Sequence, residues 1–192
     1  MKPAFSRLQV AAVEKFATVP EGPVSISRNL PPRKEMAFMN GTAVAEREKT
    51  TREEMVRLLN EDLAREYQAV IAYVVYSQTL KGAAYTDIAG ELEKHAGEEL
   101  SHAIKIARQI DYFGGTPAVQ PKPVKVSEDA KSMLQFDLEN ERVTIQNYRQ
   151  RIQQADAMGE FALSEILRGI IVQEQEHLQD LADALGIESP EI

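Results

Sequence analysis

EELSH, residues Glu98 to His102, and EQEH, residues Glu174 to His177, decide how this chain folds. Each places a histidine three residues after a glutamate within an apolar pattern of helical period. A Glu-x-x-His pair puts both side chains on one helical face. That face points inward. Ile88, Leu92 and Ile106 share it with His95, Glu99 and His102; Leu163, Leu167, Ile170 and Leu181 share it with Glu174 and His177. A charge on a core-facing stripe costs stability unless something compensates it. Two such pairs in one small chain ask for a common cause.

The neighbouring segments carry the same period. TTREE offers a capping box, Thr50 with Glu53, opening a helix that runs to about Leu80. Its inward stripe is Met55, Leu59, Leu63, Glu66, Val70, Tyr73 and Ser77. A short break at Gly82 leads to the helix holding EELSH, which stops at FGGTP, a glycine-then-proline terminus. GGTPAVQPKPVKVSED, with three prolines, is too long for a tight turn between neighbouring helices. Ser127, followed by Glu128 and Asp129, starts a third helix with stripe Leu134, Leu138, Glu141, Ile145, Tyr148 and Ile152. ADAMGE breaks the chain before the helix holding EQEH, which Gly186 and Pro190 end. No strand is predicted. The expected fold is all-α: two helical hairpins joined by one long crossover, a four-helix bundle over residues 49–187 with a tail at 188–192.

The two hairpins repeat each other. Glu66 and Glu99 are 33 residues apart, as are Glu141 and Glu174, and the whole set recurs at an offset of 75. Each second glutamate has its histidine (His102, His177), and each first glutamate has a tyrosine seven residues on (Tyr73, Tyr148). The midpoints of both spacings fall beside glycines, Gly82 and Gly159, so all four glutamates lie at about one height in the bundle. Two of three histidines following glutamate at this spacing arises in roughly 3% of random chains of this composition. Matched spacings, a shared inward phase and a turn at both midpoints favour a site over coincidence.

Four carboxylates packed in a core cannot all ionise uncompensated. Two divalent cations cancel them, and two imidazoles complete the coordination. A donor set rich in oxygen and free of thiolate suits iron or manganese better than structural zinc. A Glu from each of two helices and Glu-x-x-His from each of the other two is the pattern of carboxylate di-iron and di-manganese bundles.

At LLNEDLAREYQAVIAY, EELSHAIKIARQIDYFGGTP, MLQFDLENE and ILRGIIVQEQEHL the sequence resembles the bacterioferritin branch of the ferritin-like superfamily, over about residues 52–186. The resemblance implies a ferroxidase centre within each subunit that oxidises Fe(II) with O2 or H2O2. It implies Glu66, Glu99, His102, Glu141, Glu174 and His177 as ligands of two Fe ions. Glu99 and Glu174 would bridge, with Glu66 and His102 on one ion and Glu141 and His177 on the other. Tyr73 matches a family tyrosine beside the centre, there to hydrogen-bond, to supply an electron, or simply to pack. The methionine that ligates haem in bacterioferritins is replaced here by Leu100, so haem is not expected. Fifteen residues follow His177, too few for the short fifth helix of 24-subunit cages. A 24-subunit shell, a 12-subunit shell and a dimer are all compatible with the homo-oligomer implied. Thr144 stands where rubrerythrins place a further glutamate, and rubredoxin-type cysteines are absent, which disfavours rubrerythrin peroxidase.

Bulk properties set the remaining bounds. The chain has 43% hydrophobic and 27% charged residues, which permits a packed core, and a net charge of -8, which supplies no basic stripe for nucleic acid. The absence of cysteine excludes disulfides, thiolate metal sites and cysteine nucleophiles. No apolar run reaches the length of a membrane span, and the N-terminal apolar stretch is broken by Glu14 and Lys15, so a cytoplasmic protein is expected. Residues 1–48 read as an extension: SRLQVAAVEKFA could form a short helix, VPEGPVSISRNLPPRKE should be extended, and the whole suits a tail or an arm on a neighbouring subunit. His95 and Glu98 read as satisfied polar residues or an extra iron site on the route inward. Two competing functions are a manganese catalase or other small di-metal oxidase without storage, and an assembly bundle in which metal is a structural clip.

Overall fold

The computed structural model describes residues 50–192. The arm expected over residues 1–48 lies outside them. Four long helices follow one another: α1 Arg52–Thr79, α2 Thr86–Tyr112, α3 Ala130–Met158 and α4 Phe161–Leu185, with a single 3-10 turn at Ala83–Tyr85 before α2. Among the described residues there is no strand, as expected. None of these helices is long and apolar enough to cross a membrane.

Two starts differ from the sequence reading. Thr51, not Thr50, caps α1: its side chain accepts from the Glu54 amide at 3.1 Å. Asp129, not Ser127, caps α3, accepting from the Ser132 amide at 2.8 Å. Ser127 acts one step earlier, its hydroxyl accepting from the Asp129 amide. The helix ends agree with expectation. Gly159 and Gly186 close α3 and α4 at φ +77° and +66°, a left-handed conformation that glycine adopts without cost.

Side-chain pairs fix the directions of the helices. Asp62 meets Arg151, Glu66 meets Tyr148 and Tyr73 meets Glu141, so numbers rise along α1 as they fall along α3. His95 meets Asp180, Glu98 meets His177 and His102 meets Gln173, so α2 and α4 are antiparallel too. The crossover between α2 and α3 is held against α1 along its length. Asn60 bonds Thr116 and Ala118, Lys122 N–H donates to Ala64 O at 2.8 Å, and Gln68 donates to Pro123 O at 2.7 Å. Gly115 is required where this strap leaves α2, because a Cβ there would collide with Val56.

The core is two apolar clusters. One contains Met55, Leu59, Leu63, Ile106, Ile110, Leu163 and Leu167; the other contains Leu92, Leu134, Leu138, Ile145, Leu178 and Leu181. The polar residues of the four stripes lie between them. Val70, expected on the α1 stripe, is only half-buried; Ala72 and Tyr76 carry burial there.

Candidate metal centre

Every carboxylate and imidazole expected from the sequence reaches this middle layer. Glu66, Glu99, His102, Glu141, Glu174 and His177 are between 0% and 2% exposed. They form two sets of four. In Glu66, Glu99, His102 and Glu174, and again in Glu99, Glu141, Glu174 and His177, one donor atom from each residue lies within 4.8 Å of the others. Glu99 and Glu174 belong to both sets.

The inward atoms have no protein partner that satisfies them. Glu66 Oε2, Glu99 Oε1, both Glu174 oxygens, His102 Nδ1 and His177 Nδ1 are buried without a hydrogen bond. They crowd one another nonetheless: His102 Nδ1 is 3.1 Å from Glu174 and 3.4 Å from Glu99, and His177 Nδ1 is 2.9 Å from Glu99. Buried polar atoms are nearly always paired, and orphans need a cause. Six orphaned donor atoms of metal-ligand type converging on one point fit a pair of divalent cations.

The outward atoms are satisfied, and in a symmetric way. His177 Nε2 donates to Glu98 Oε2 at 2.7 Å, and His102 Nε2 donates to Gln173 Oε1 at 3.0 Å. Both rings therefore keep Nδ1 free to bind inward, the arrangement by which outer hydrogen bonds orient metal-ligating histidine. Tyr73 donates to Glu141 Oε1, and Tyr148 donates to Glu66 Oε1. Tyr73 was legible as a neighbour of the site. Tyr148 in this role, and Gln173, were not singled out, although the offset of 75 pairs Tyr148 with Tyr73 and Gln173 with Glu98.

Without metal, protons balance the charge. Burial, reinforced by Glu99 and Glu174, pushes the carboxyls of Glu66 and Glu141 well above the usual range. Burial would lower the imidazoles, but the surrounding carboxylates outweigh it: His102 is raised, chiefly by Glu174 and Glu66, and His177 is pushed up to about 12 by Glu174 and Glu99. Burial likewise opposes ionisation of Glu99, yet His102 and His177 hold its carboxyl well below the ordinary value. A cation arriving here replaces protons, which is how metal binding couples to pH.

Next to this layer the two halves diverge. Asp62 takes a bidentate ion pair from Arg151, at 2.7 and 3.2 Å. At the matching place in the other half stand Asp137 and Tyr76, and Asp137 Oδ2 is buried without a partner. Burial, then the charge of Glu99, raises the Asp137 carboxyl well above its usual value. None of these four was singled out from sequence. A cavity of ≈ 10 Å³ opens beside Glu66, Glu141, Arg65 and Thr144, between α1 and α3.

The family of ferritin-like domains, described as "Ferritin: Ferritin-like domain", matches residues 56–188. The chain belongs to the ferritin-like superfamily. This ferritin-like chain is 25% identical to the bacterioferritin of Brucella melitensis over 134 residues, 69% of this chain and 83% of that one. Among solved structures, it is similar to a ferritin-like diiron-carboxylate protein of Bacillus anthracis, with 34% identity and TM-score 0.68 over 70% of this chain and 96% of that one. It is also similar to a dodecameric thioferritin, the bacterioferritin-related protein of Bacteroides fragilis, with 30% identity and TM-score 0.67 over 72% and 88% of the two chains.

Proposed function

We propose that this ferritin-like protein is a cytoplasmic ferroxidase, oxidising Fe(II) to Fe(III) with O2 or H2O2 at a di-iron centre within the subunit, and storing iron in an oligomer. The observation that carries the reading is the pair of four-residue sets sharing Glu99 and Glu174, with six of their buried donor atoms unpartnered. Glu99 and Glu174 would be shared by the two ions, with Glu66 and His102 holding one and Glu141 and His177 the other. Fe(II) held there would supply one electron from each ion, either to O2, which with two protons leaves as H2O2, or to H2O2, which with two protons leaves as two waters.

The protein's part is positional. Glu98 and Gln173 fix the ring orientation of His177 and His102. Tyr73 and Tyr148 each hold one oxygen of a terminal carboxylate, and the second oxygen of Glu66 stays buried without a partner. The cavity beside Thr144 has room for about one water-sized molecule, which suits a small oxidant. Leu100 offers no sulfur ligand for haem. Ile71, Val74, Leu100 and Ile104, all exposed, are apolar surface that contacts between copies would cover.

Stopped-flow oxidation of Fe(II) tests the assignment. Glu99→Ala removes a ligand of both ions and should slow the fast phase by about a hundredfold or more. An unchanged fast phase would remove the centre from the reaction. The same oxygen-rich donors suit manganese, which keeps a catalase-like enzyme as the second reading. O2 evolution from peroxide by a manganese-loaded sample, with no retention of excess iron on size exclusion, would select it.

A further inference from the structure

A groove of ≈ 220 Å³ runs between the ends of α2 and α4, lined by Asp87 and Glu91 from one helix and Asp180 and Asp183 from the other. His95 adjoins it. The ring is only 3% exposed, and one of its nitrogens lies within 4.8 Å of carboxylate oxygens of both Glu91 and Asp180. Nε2 is 3.2 Å from Asp180 Oδ2, while Nδ1 is buried with no partner at all.

The repeat shows that packing does not require this histidine. At the offset of 75, His95 corresponds to Ile170, Glu91 to Ile166 and Asp180 to Lys105. Ile170 is fully buried, so the fold has an apolar solution at the same place. Burying an imidazole is the costlier choice, and the nitrogen it turns toward Asp180 is Nε2, not the unpartnered Nδ1. One imidazole and two carboxylates, by contrast, form a donor set for a first-row divalent ion.

We propose that Glu91, His95 and Asp180 form a third cation site, outside the six-ligand centre, taking Fe(II) or a similar divalent transition-metal ion. Asp87 and Asp183 raise the local concentration of cations at its mouth. Lys94 Nζ lies 2.7 Å from Glu91, but this pair is exposed and exchanges readily for a bound ion. The His95 ring packs on that of His177, with centroids 4.0 Å apart, so the site stands one side chain from the centre. As a staging position for Fe(II) it rests on the ferroxidase reading; as a cation site it does not.

Co(II) is the probe. Crystals of the full chain soaked in Co(II), with data collected at the cobalt edge, should show an anomalous peak bound by His95, Glu91 and Asp180, apart from those in the centre. The double variant Glu91→Gln/Asp180→Asn changes two partly exposed carboxylates and should keep the fold. It should lose that peak and weaken the corresponding step of a calorimetric Co(II) titration about tenfold or more, leaving the centre peaks in place. A wild type with no peak at His95, a peak bound by Asp87 and Asp183 alone, or a peak that survives the double variant would overturn the proposal. A peak at His95 with none in the centre would uphold it and overturn the ferroxidase reading instead.

Discussion

Glu98 and Gln173 occupy the same place in the two halves of the bundle, and one is a carboxylate where the other is an amide. Each accepts from a ligand histidine, but only Glu98 brings a negative charge to its partner. A charged acceptor makes a stronger hydrogen bond and a more basic imidazole. If the six residues bind two ions as proposed, the two positions are inequivalent, with the Glu98-backed His177 expected to be the stronger donor. Glu98→Ala should weaken binding at the Glu141/His177 position by roughly 10- to 100-fold. Gln173→Ala should cost less, at the other position. Competition against a chromophoric chelator reads both, and equal losses would contradict the asymmetry. The six candidate ligands were legible as a buried cluster because each interrupts an apolar stripe. Gln173 and Arg151 flank the stripes, where polar residues are ordinary, so periodicity alone does not mark them, and Glu98 reads from sequence only as a satisfied polar residue or part of an extra iron site. Only the offset of 75 separates Glu98 and Gln173 from a solvated face.

The helices and their order followed from period, glycines and prolines, but two starts did not. TTREE contains the same Thr-x-x-Glu signature in two registers, Thr50 with Glu53 and Thr51 with Glu54, and local chemistry cannot rank them. Packing ranks them: Met55 must point into the core, which sets the phase of the first turn and places Thr51 at the cap. Thr51→Ala should cost about 1 kcal/mol in chemical denaturation, and Thr50→Ala close to nothing. The reverse order would restore the sequence reading. Ser127 and Asp129 pose the same problem at α3. Both are good caps, and the serine is spent on a turn that delivers the aspartate. The crossover length was visible in the sequence. Its attachment to α1 through Asn60 and Gln68 was not, because such bonds depend on which face the strap follows.

At the scale of the bundle, a layer of buried charge between two apolar clusters makes stability depend on pH and metal together. In metal-free protein Glu66, Glu141, His102 and His177 all have raised values, so the folded state binds more protons than the unfolded one. Their contribution is complete below the unfolded values, about 4.3 for glutamate and 6.5 for histidine, and is lost as pH rises through the folded ones. The depressed Glu99 acts in the opposite sense, but its contribution is already complete above about pH 4.3 and adds no slope beyond it. The melting temperature of chelator-treated protein should therefore fall from about pH 5 to pH 9. That of metal-loaded protein should fall less, and the gap between them should widen with pH as fewer protons compete for the ligands. A metal-free melting temperature that rises over this range would contradict the charge balance described.

The central claim is that four carboxylates and two histidines bind two irons and oxidise them as a unit. The most direct test adds Fe(II) in steps under O2 and follows the amplitude of the fast oxidation phase. The amplitude should grow linearly to a break at roughly two Fe(II) per subunit, with about one O2 consumed per two Fe(II). A break at one Fe(II), or an amplitude that grows without a break, would contradict a paired centre.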